Sequence, residues 1–572
     1  MRCGAASSRT RVWAERVFRK VEKAGRVPHR RRGRAGADAF RVGTGRGVPL
    51  WAALILAAAG GVLFNAAFPA LSWWPLVFPG VGLLLYVQQG RRAWSALLVG
   101  FVGALAFYIS DIYWTALYLG PVPWLALSIT ESFFWSLAAV LITLAYRWVP
   151  RAVPGRLGTL VLLPLVVAGL WTLREFQTDH WPFTGFAWGR VAYTQSQSPF
   201  TPLVGWVGVA GLTFLLVWVS AFALACLQEV GMSRLTRAVL PVTAALAMAS
   251  VPAWPSHALG SARVAAVQGD GPAGYFDPNN KYGAVEQAQV NATVPLFSKG
   301  PFDMVVWPEG SADANPLADQ NSASVLSALS RVLDAPLVVG AITEDGPKTF
   351  NSSLLWDGDK GKVAQYDKQL PVPFGEYIPL RPFFHALAPA LVDLVQRDYT
   401  PGTRPNVFDI RGTGQDIRAG ISICFDIIDD RQIPQMIDGG AQLILAQTNN
   451  ADFGRTEENV QQLAIARMRA VETDRSVVNI STVGTSQVIG PTGRTLAAIP
   501  AYKPGVLVAS VPLSTGITPA VRFGAAIELG AAALGGAGLV GCLGLLLTQR
   551  RRPRGNPEDG VWSRDARRAE SD

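Results

Sequence analysis

Apolar residues come in long runs through the first half of the chain and in short runs through most of the second. Crossing a bilayer as a helix takes about 20 residues. Eight runs approach that length: 49–68, 73–89, 93–110, 121–146, 157–174, 203–227, 235–253 and 524–547. Seven of them follow one another almost free of charge, which core helices of a soluble protein would not do. Between 254 and 523 the pattern changes. Short β-branched runs recur at Val264–Val267, Met304–Trp307, Leu337–Ile342, Ser353–Trp356, Ile421–Ile423, Leu443–Leu445 and Val477–Ile480. Helical patterns at 284–297, 321–333 and Glu457–Arg475 alternate with several of them. That alternation predicts an α/β domain with helices over sheet faces. No glycine-rich nucleotide loop follows any of these strands.

Composition agrees with the membrane reading. Half of the 572 residues are apolar and 16% are charged, against about a quarter charged in soluble domains. A soluble cytosolic protein and a disordered one are both excluded. The net charge is +10, but residues 1–47 hold fourteen Arg/Lys against three acids, leaving the rest at −1. The basicity therefore belongs to a tail and gives no nucleic-acid surface. The tail has no secretory h-region and reads as a disordered cytoplasmic extension.

Orientation follows from the positive-inside rule. With the tail in the cytoplasm, the inside loops carry Arg91/Arg92, Arg147/Arg151/Arg156, Arg234/Arg237 and Arg550/Arg551/Arg552/Arg554. The outside loops hold nothing basic at 69–72 and 111–120, and only Arg174 and Arg190 around 175–202. The expected organisation is a tail at 1–47, seven helices over 48–253, an outer-face domain at 254–523, a last helix at 524–547 and a cytoplasmic tail at 548–572. In the aromatic loop at 174–200, Trp181, Trp188 and Tyr193 read as interfacial anchors.

The four cysteines (Cys3, Cys226, Cys424, Cys542) form no CxxC, and four histidines without ligand spacing argue against a zinc enzyme. Three strand ends carry chemistry instead. The first is Asp303-Met-Val-Val-Trp-Pro-Glu309. The second is Tyr366-Asp-Lys368 with Pro373-Phe-Gly-Glu-Tyr377. The third is Gly420-Ile-Ser-Ile-Cys424-Phe-Asp426. Each alone has an ordinary explanation as a turn, a solvated lysine or a small core thiol. Together they provide a base, an oxyanion partner and a nucleophile without histidine.

These strings resemble the Glu–Lys–Cys triad of the nitrilase superfamily and, within it, the membrane branch, the apolipoprotein N-acyltransferases. The resemblance spans nearly the whole chain, including PFTGFAWGRVAYTQ at 182–195 and the stretch from Gln447 to Gly493. It implies an αββα catalytic domain and no metal or soluble cofactor. Glu309 would be the general base, Lys368 the oxyanion stabiliser, Cys424 the acylated nucleophile and Glu376 a supporting acid. Phe425 and Asp426 stand where the family frequently holds Tyr and Glu. Phe276 stands where relatives carry a Trp near the substrate entrance, and Phe374 and Tyr377 are further substrate-binding candidates.

The implied reaction is ping-pong acyl transfer. Cys424 takes an acyl chain from a membrane phospholipid. It then passes that chain to the α-amine of the diacylglyceryl cysteine that begins a lipoprotein. The expected setting is a monomer in the bacterial cytoplasmic membrane, catalytic domain outward and both termini inward. Two alternatives stand beside it. A membrane-tethered amidase would use the same triad with water as acceptor, although eight spans exceed what a tether requires. A transporter or scaffold with a dead outer domain would need ionisable residues in its spans, for which Glu131 and Glu528 are the few candidates. Arg467, Arg469, Glu472 and Arg475 read as structural ion pairs, and Cys226 and Cys542 as packed or lipid-facing thiols.

Overall fold

The computed structural model describes residues 48–551, apart from 257, 413 and 414. The first tail with Cys3, and residues 552–572 with Arg552 and Arg554, lie outside the described residues. The first half is helical: α1 (Leu50–Ala66), α2 (Val77–Tyr86), α3 (Ala93–Asp111), α4 (Pro121–Ala152), α5 (Leu163–His180), α6 (Val204–Gln228) and α7 (Arg234–Ala249). A last helix spans Pro519–Arg551. Among the described residues, five helical stretches are long and apolar enough to cross a membrane: Ala93–Asp111, Pro121–Ala152, Leu157–His180, Thr201–Gln228 and Pro519–Gln549. Leu50–Ala66 and Trp74–Tyr86 are apolar but shorter. The seventh expected span is a 16-residue helix beginning with Arg234 and Arg237. The fifth extends to His180, so Arg174 sits inside a helix rather than in a loop.

The second half holds twelve strands in two six-stranded sheets. One runs in the order β12-β1-β2-β3-β4-β5 and the other β11-β10-β9-β8-β7-β6. In the first sheet, β1 (Ala258–Gln268), β2 (Met304–Val306) and β3 (Leu337–Asp345) are parallel. The strands β4 (Lys348–Asp357), β5 (Gly361–Asp367) and β12 (Gly505–Ser514) join it antiparallel. The second sheet has β7 (Asp416–Ile423), β8 (Leu443–Thr448) and β9 (Ser476–Ser481) parallel. Its antiparallel members are β6 (Val407–Arg411), β10 (Ser486–Ile489) and β11 (Thr495–Ile499).

Side chains alternate along a strand, and here both faces are buried, which makes continuous apolar runs. Val264, Ala266, Met304 and Val306 pack against Ile421, Ile423, Leu443 and Leu445 between the sheets. On the far side of the first sheet, Ala265, Val267 and Val305 meet Leu326, Leu329 and Leu333 of the helix Gln320–Leu333. On the far side of the second, Ile444, Ala446 and Val477 meet Leu463, Ala466 and Ala470 of the helix Glu458–Thr473. The layering is αββα. The core of that last helix is continuous with the membrane-type helices, through Leu203, Val204, Leu212 and Trp188. Gln461 makes the junction polar as well. Its Oε1 accepts from Trp114 Nε1 at 3.1 Å and Trp188 Nε1 at 2.8 Å, and its Nε2 donates to Asp111 Oδ1 at 3.0 Å.

Candidate active site

Three parallel or paired strands end at one place. β2 leads through Trp307-Pro308 to Glu309, β5 ends one residue before Lys368, and β7 ends one residue before Cys424. Strand carboxyl ends are where open α/β sheets place their reactive groups. Gly340 of β3 lets Glu309 sit there: a Cβ at 340 would come within 2.5 Å of Pro308 O and 2.6 Å of the Glu309 Cα.

Cys424 turns the chain with φ +52° from β7 into a short 3-10 turn. That left-handed backbone is costly for a residue with a Cβ and needs support from its surroundings. Asp426 supplies it. Its Oδ2 accepts from the Ile423 N–H at 3.2 Å and from Tyr366 OH at 2.9 Å, and its Oδ1 accepts from Gln432 Nε2 at 2.9 Å. The Asp in ICFD therefore braces the elbow that presents the thiol.

The polar groups are joined in a chain. Asn351 Nδ2 on β4 donates to Glu309 Oε1 at 2.7 Å and to Glu376 Oε1 at 2.9 Å. Glu376 Oε2 takes the Lys368 ammonium at 2.8 Å and the Val372 N–H at 2.7 Å. Glu309 Oε2 is buried without an ordinary hydrogen-bond partner. Burial pushes the Glu309 carboxyl up to about 7, Lys368 opposing and Glu376 adding to the rise. Burial pulls the Lys368 ammonium down, but Glu376, then Cys424 and Glu309, outweigh it, and the net shift is upward. Burial and then Glu309 push the Cys424 thiol well above its usual range against Lys368. The resting site thus holds a neutral thiol, a fixed cation and a carboxyl poised near neutrality. Such a set can move a proton off sulfur and meet a developing oxyanion.

The remaining sequence candidates are held by aromatic and backbone contacts. Phe425 stacks on Trp188 (centroids 6.1 Å, 8° between planes) and on Phe186 (6.1 Å, 16°). Phe374 packs edge-on to Phe183 at 5.7 Å, and its N–H donates to Tyr377 O at 2.7 Å. Tyr118 OH donates to Gly375 O at 3.0 Å, so the PFGEY turn is held from the helical half at two points. Phe276 is 49% exposed beside Tyr275 and Tyr118. A cleft beside the elbow is lined by Thr184, Phe425 and Arg431 together with the charged Asp179, Arg190 and Asp430.

Several side chains differ from expectation. Trp188 and Tyr193 are buried, and of the three aromatic anchors only Trp181, 60% exposed, fits that role. Arg190 is buried among Glu175, Asp179, Asp430 and Glu528. Arg469 pairs with Asp430 and Glu472 as an ion-pair reading requires. Arg467 and Arg475 instead find neutral acceptors: Arg467 donates to Gln487 Oε1 at 3.0 Å and Thr495 Oγ1 at 3.1 Å, and Arg475 to the carbonyls of Ala441 and Gly516. Cys226 and Cys542 are packed thiols. Asn351, Asn450 and Gln462 carry no signal in the sequence, and Tyr366 enters it only as the first residue of the Lys368 string. Asn351 and Tyr366 stand in short strand strings, NSSLLW and QYDK, where alternation marks only inward or outward. Among the described residues no group of three or more His, Cys, Asp or Glu is placed to hold a metal ion.

Residues 60–222 match the model of the apolipoprotein N-acyltransferase N-terminal domain, and 263–518 match that of carbon-nitrogen hydrolase. The chain is 31% identical to the apolipoprotein N-acyltransferase of Mycolicibacterium smegmatis, covering 83% of each chain. It is 29% identical to that of Azotobacter vinelandii (90% of this chain, 98% of the relative) and 28% to that of Geobacter metallireducens (82% and 91%). Among solved structures, a nitrilase-superfamily amidase of Nesterenkonia is 19% identical, with TM-score 0.34, over 45% of this chain and 94% of that one.

Proposed function

The chain belongs to the apolipoprotein N-acyltransferase family and is an acyltransferase of lipoproteins, and we propose that it works by a thioester on Cys424. The acyl donor is a membrane phospholipid. Glu309 takes the thiol proton, the sulfur attacks the ester carbonyl, and Lys368 meets the oxyanion. The tetrahedral adduct collapses to a Cys424 thioester, and the lysophospholipid leaves with the proton from Glu309. The α-amine of a diacylglyceryl cysteine then attacks the thioester and gives its proton to Glu309. The new amide forms as the S–C bond breaks, and the sulfur regains the proton. Glu376 and Asn351 position Lys368 and Glu309, and Asp426 braces the elbow.

The observation that carries this reading is the Asn351 bridge. One amide nitrogen holds Glu309 at 2.7 Å and Glu376 at 2.9 Å while Glu376 holds Lys368 at 2.8 Å, all beside Cys424. Eight spans, an outward-facing catalytic domain at 254–523 and monomeric action complete the proposal. The run of arginines at expected inside loops supports the orientation.

The test is acyl transfer in detergent micelles from a phospholipid to a synthetic diacylglyceryl lipopeptide, followed by mass. A gain of one acyl chain on the peptide α-amine, lost in Cys424→Ala, is expected. Transfer that persists in Cys424→Ala, or release of free fatty acid in place of peptide acylation, would overturn the proposal.

A further inference from the structure

The sulfur of Cys424 has a neighbour that the three-residue reading leaves unused. Gln462 Nε2 lies 3.7 Å from Sγ in donating geometry. Gln462 sits on the helix Glu458–Thr473, directly after Gln461, the residue that joins this helix to Trp114 and Trp188.

The direction of the Gln462 amide is set by a buried relay. The Gly484 N–H donates to Ser481 Oγ at 3.0 Å, which leaves the Ser481 hydroxyl to donate to Asn450 Oδ1 at 2.5 Å. Thr448 Oγ1 donates to the same oxygen at 3.2 Å. With its oxygen so taken, Asn450 turns its Nδ2 toward Glu458 Oε2 and Gln462 Oε1, both at 2.8 Å. Gln462 then has its oxygen occupied and its N–H aimed at sulfur. A flipped Gln462 amide would set two donors against each other at Asn450 and an oxygen against the sulfur lone pairs. Asn450, Glu458 and Gln462 are all buried, so the relay has no cheap alternative in water. Burial pushes the Glu458 carboxyl up to about 8 against the hydrogen bond from Asn450. At neutral pH it therefore adds little negative charge beside the thiol.

We propose that Gln462 is a fourth catalytic residue, whose N–H hydrogen-bonds the Cys424 sulfur as it carries negative charge, with Asn450 and Glu458 as its positioning residues. The inference rests on the reading of Cys424 as nucleophile. When Glu309 removes the thiol proton, the electron pair stays on sulfur and the Gln462 N–H stabilises it from the side away from solvent. When the thioester is cleaved by the amine, the S–C pair returns to sulfur and meets the same donor. A hydrogen bond to a charged group is stronger than one to a neutral group, so the contact favours the thiolate over the thiol.

The test separates sulfur chemistry from acyl transfer. Iodoacetamide alkylation of Cys424 is followed by peptide mass spectrometry across pH in the full-length protein, for wild type, Gln462→Met and Gln462→Glu. Gln462→Met keeps length and apolar volume without the donor. The alkylation midpoint is expected to move up by about one pH unit, and the rate at neutral pH to fall about tenfold. Thioester formation should fall equally, with the phospholipid KM unchanged. Gln462→Glu, which faces sulfur with a carboxylate, should lose more. A wild-type alkylation profile in either folded variant would overturn the proposal. If wild-type protein is alkylated at Cys424 but never acylated by phospholipid, the acyl-transfer reading fails while the Gln462 contact is still decided by the alkylation curves.

Discussion

Two buried charge clusters flank the segment 424–431, and they are built in opposite ways. Around Arg190 every cation is shared. Its guanidinium reaches Asp179 at 3.2 Å, Asp430 at 2.6 Å and Glu528 at 3.3 Å, and Arg469 takes the other oxygen of Asp430 together with Glu472. Arg469 also donates to the carbonyls of Ile427 at 2.8 Å and Ile428 at 2.7 Å. Around Cys424 the Lys368 ammonium pairs at 2.8 Å with Glu376, and Glu309 is held by the neutral Asn351 amide at 2.7 Å. A buried ion-pair network is expensive to break, because removing one partner strands the others. A buried carboxyl held by a neutral amide can take up and release a proton. The first cluster clamps the segment after the nucleophile to the helical half. The second does chemistry at its beginning.

The comparison breaks most sharply at the second cluster. Glu309→Gln is expected to reduce Cys424 acylation by about a thousandfold or more, since a thiol held above its usual range needs its base. Its thermal midpoint should stay near wild type, because burial already favours the neutral carboxyl. Single-turnover acylation and thermal unfolding of the same preparation check both halves. At the first cluster the pattern should invert. Arg190→Leu leaves four carboxylates facing one another and should cost about 3–5 kcal/mol of stability. The fraction that stays folded should keep most of its alkylation rate at Cys424.

Acid should distinguish the clusters too. Glu309 acts only when ionised, and burial raises its carboxyl to about 7. The acylation rate should therefore fall about tenfold for each unit below that pH and level off above it. The thermal midpoint should not follow this curve. Asn351→Ala removes a hydrogen bond that favours the ionised form, so the acid limb should move up by about 0.7 of a pH unit, the worth of about 1 kcal/mol. The smallest effect is expected at Phe425→Leu, which loses the stack on Trp188 and Phe186 for about 1 kcal/mol. Thermal unfolding should register that loss, and acylation at saturating lipid should change about twofold or less.

Much of the site was legible because its residues end strands. WPE and ICFD each combine a buried apolar run with an abrupt polar stop, and a sequence displays both; YDK ends a strand that is buried only at Tyr366 and Asp367. What holds those stops together was not legible. Asn351 lies inside β4 among serines, and only the antiparallel pairing with β3 and β5 brings it to Glu309. The shortened Asp426 looked like a departure, yet its carboxylate reaches Tyr366, Ile423 and Gln432 without the extra methylene. Arg190 looked like a loop arginine because its four carboxylates lie on segments up to 338 residues away. Strand–helix alternation predicted an α/β domain and the family resemblance its αββα layering, whereas helix lengths were not legible. Hydropathy weighs side chains and misses the backbone, so His180 and Arg174 fell outside a helix that in fact continues through them.

The central claim is that Cys424 carries the acyl chain. The most direct measurement is the peptide mass of Cys424 after the full-length protein is held with phospholipid alone, with no acceptor. An acyl mass on that peptide, equimolar lysophospholipid, and loss of both on adding a diacylglyceryl lipopeptide are the expected results. A folded wild-type protein that acylates the lipopeptide while its Cys424 peptide never gains mass, even when turnover is quenched in acid, would contradict the account.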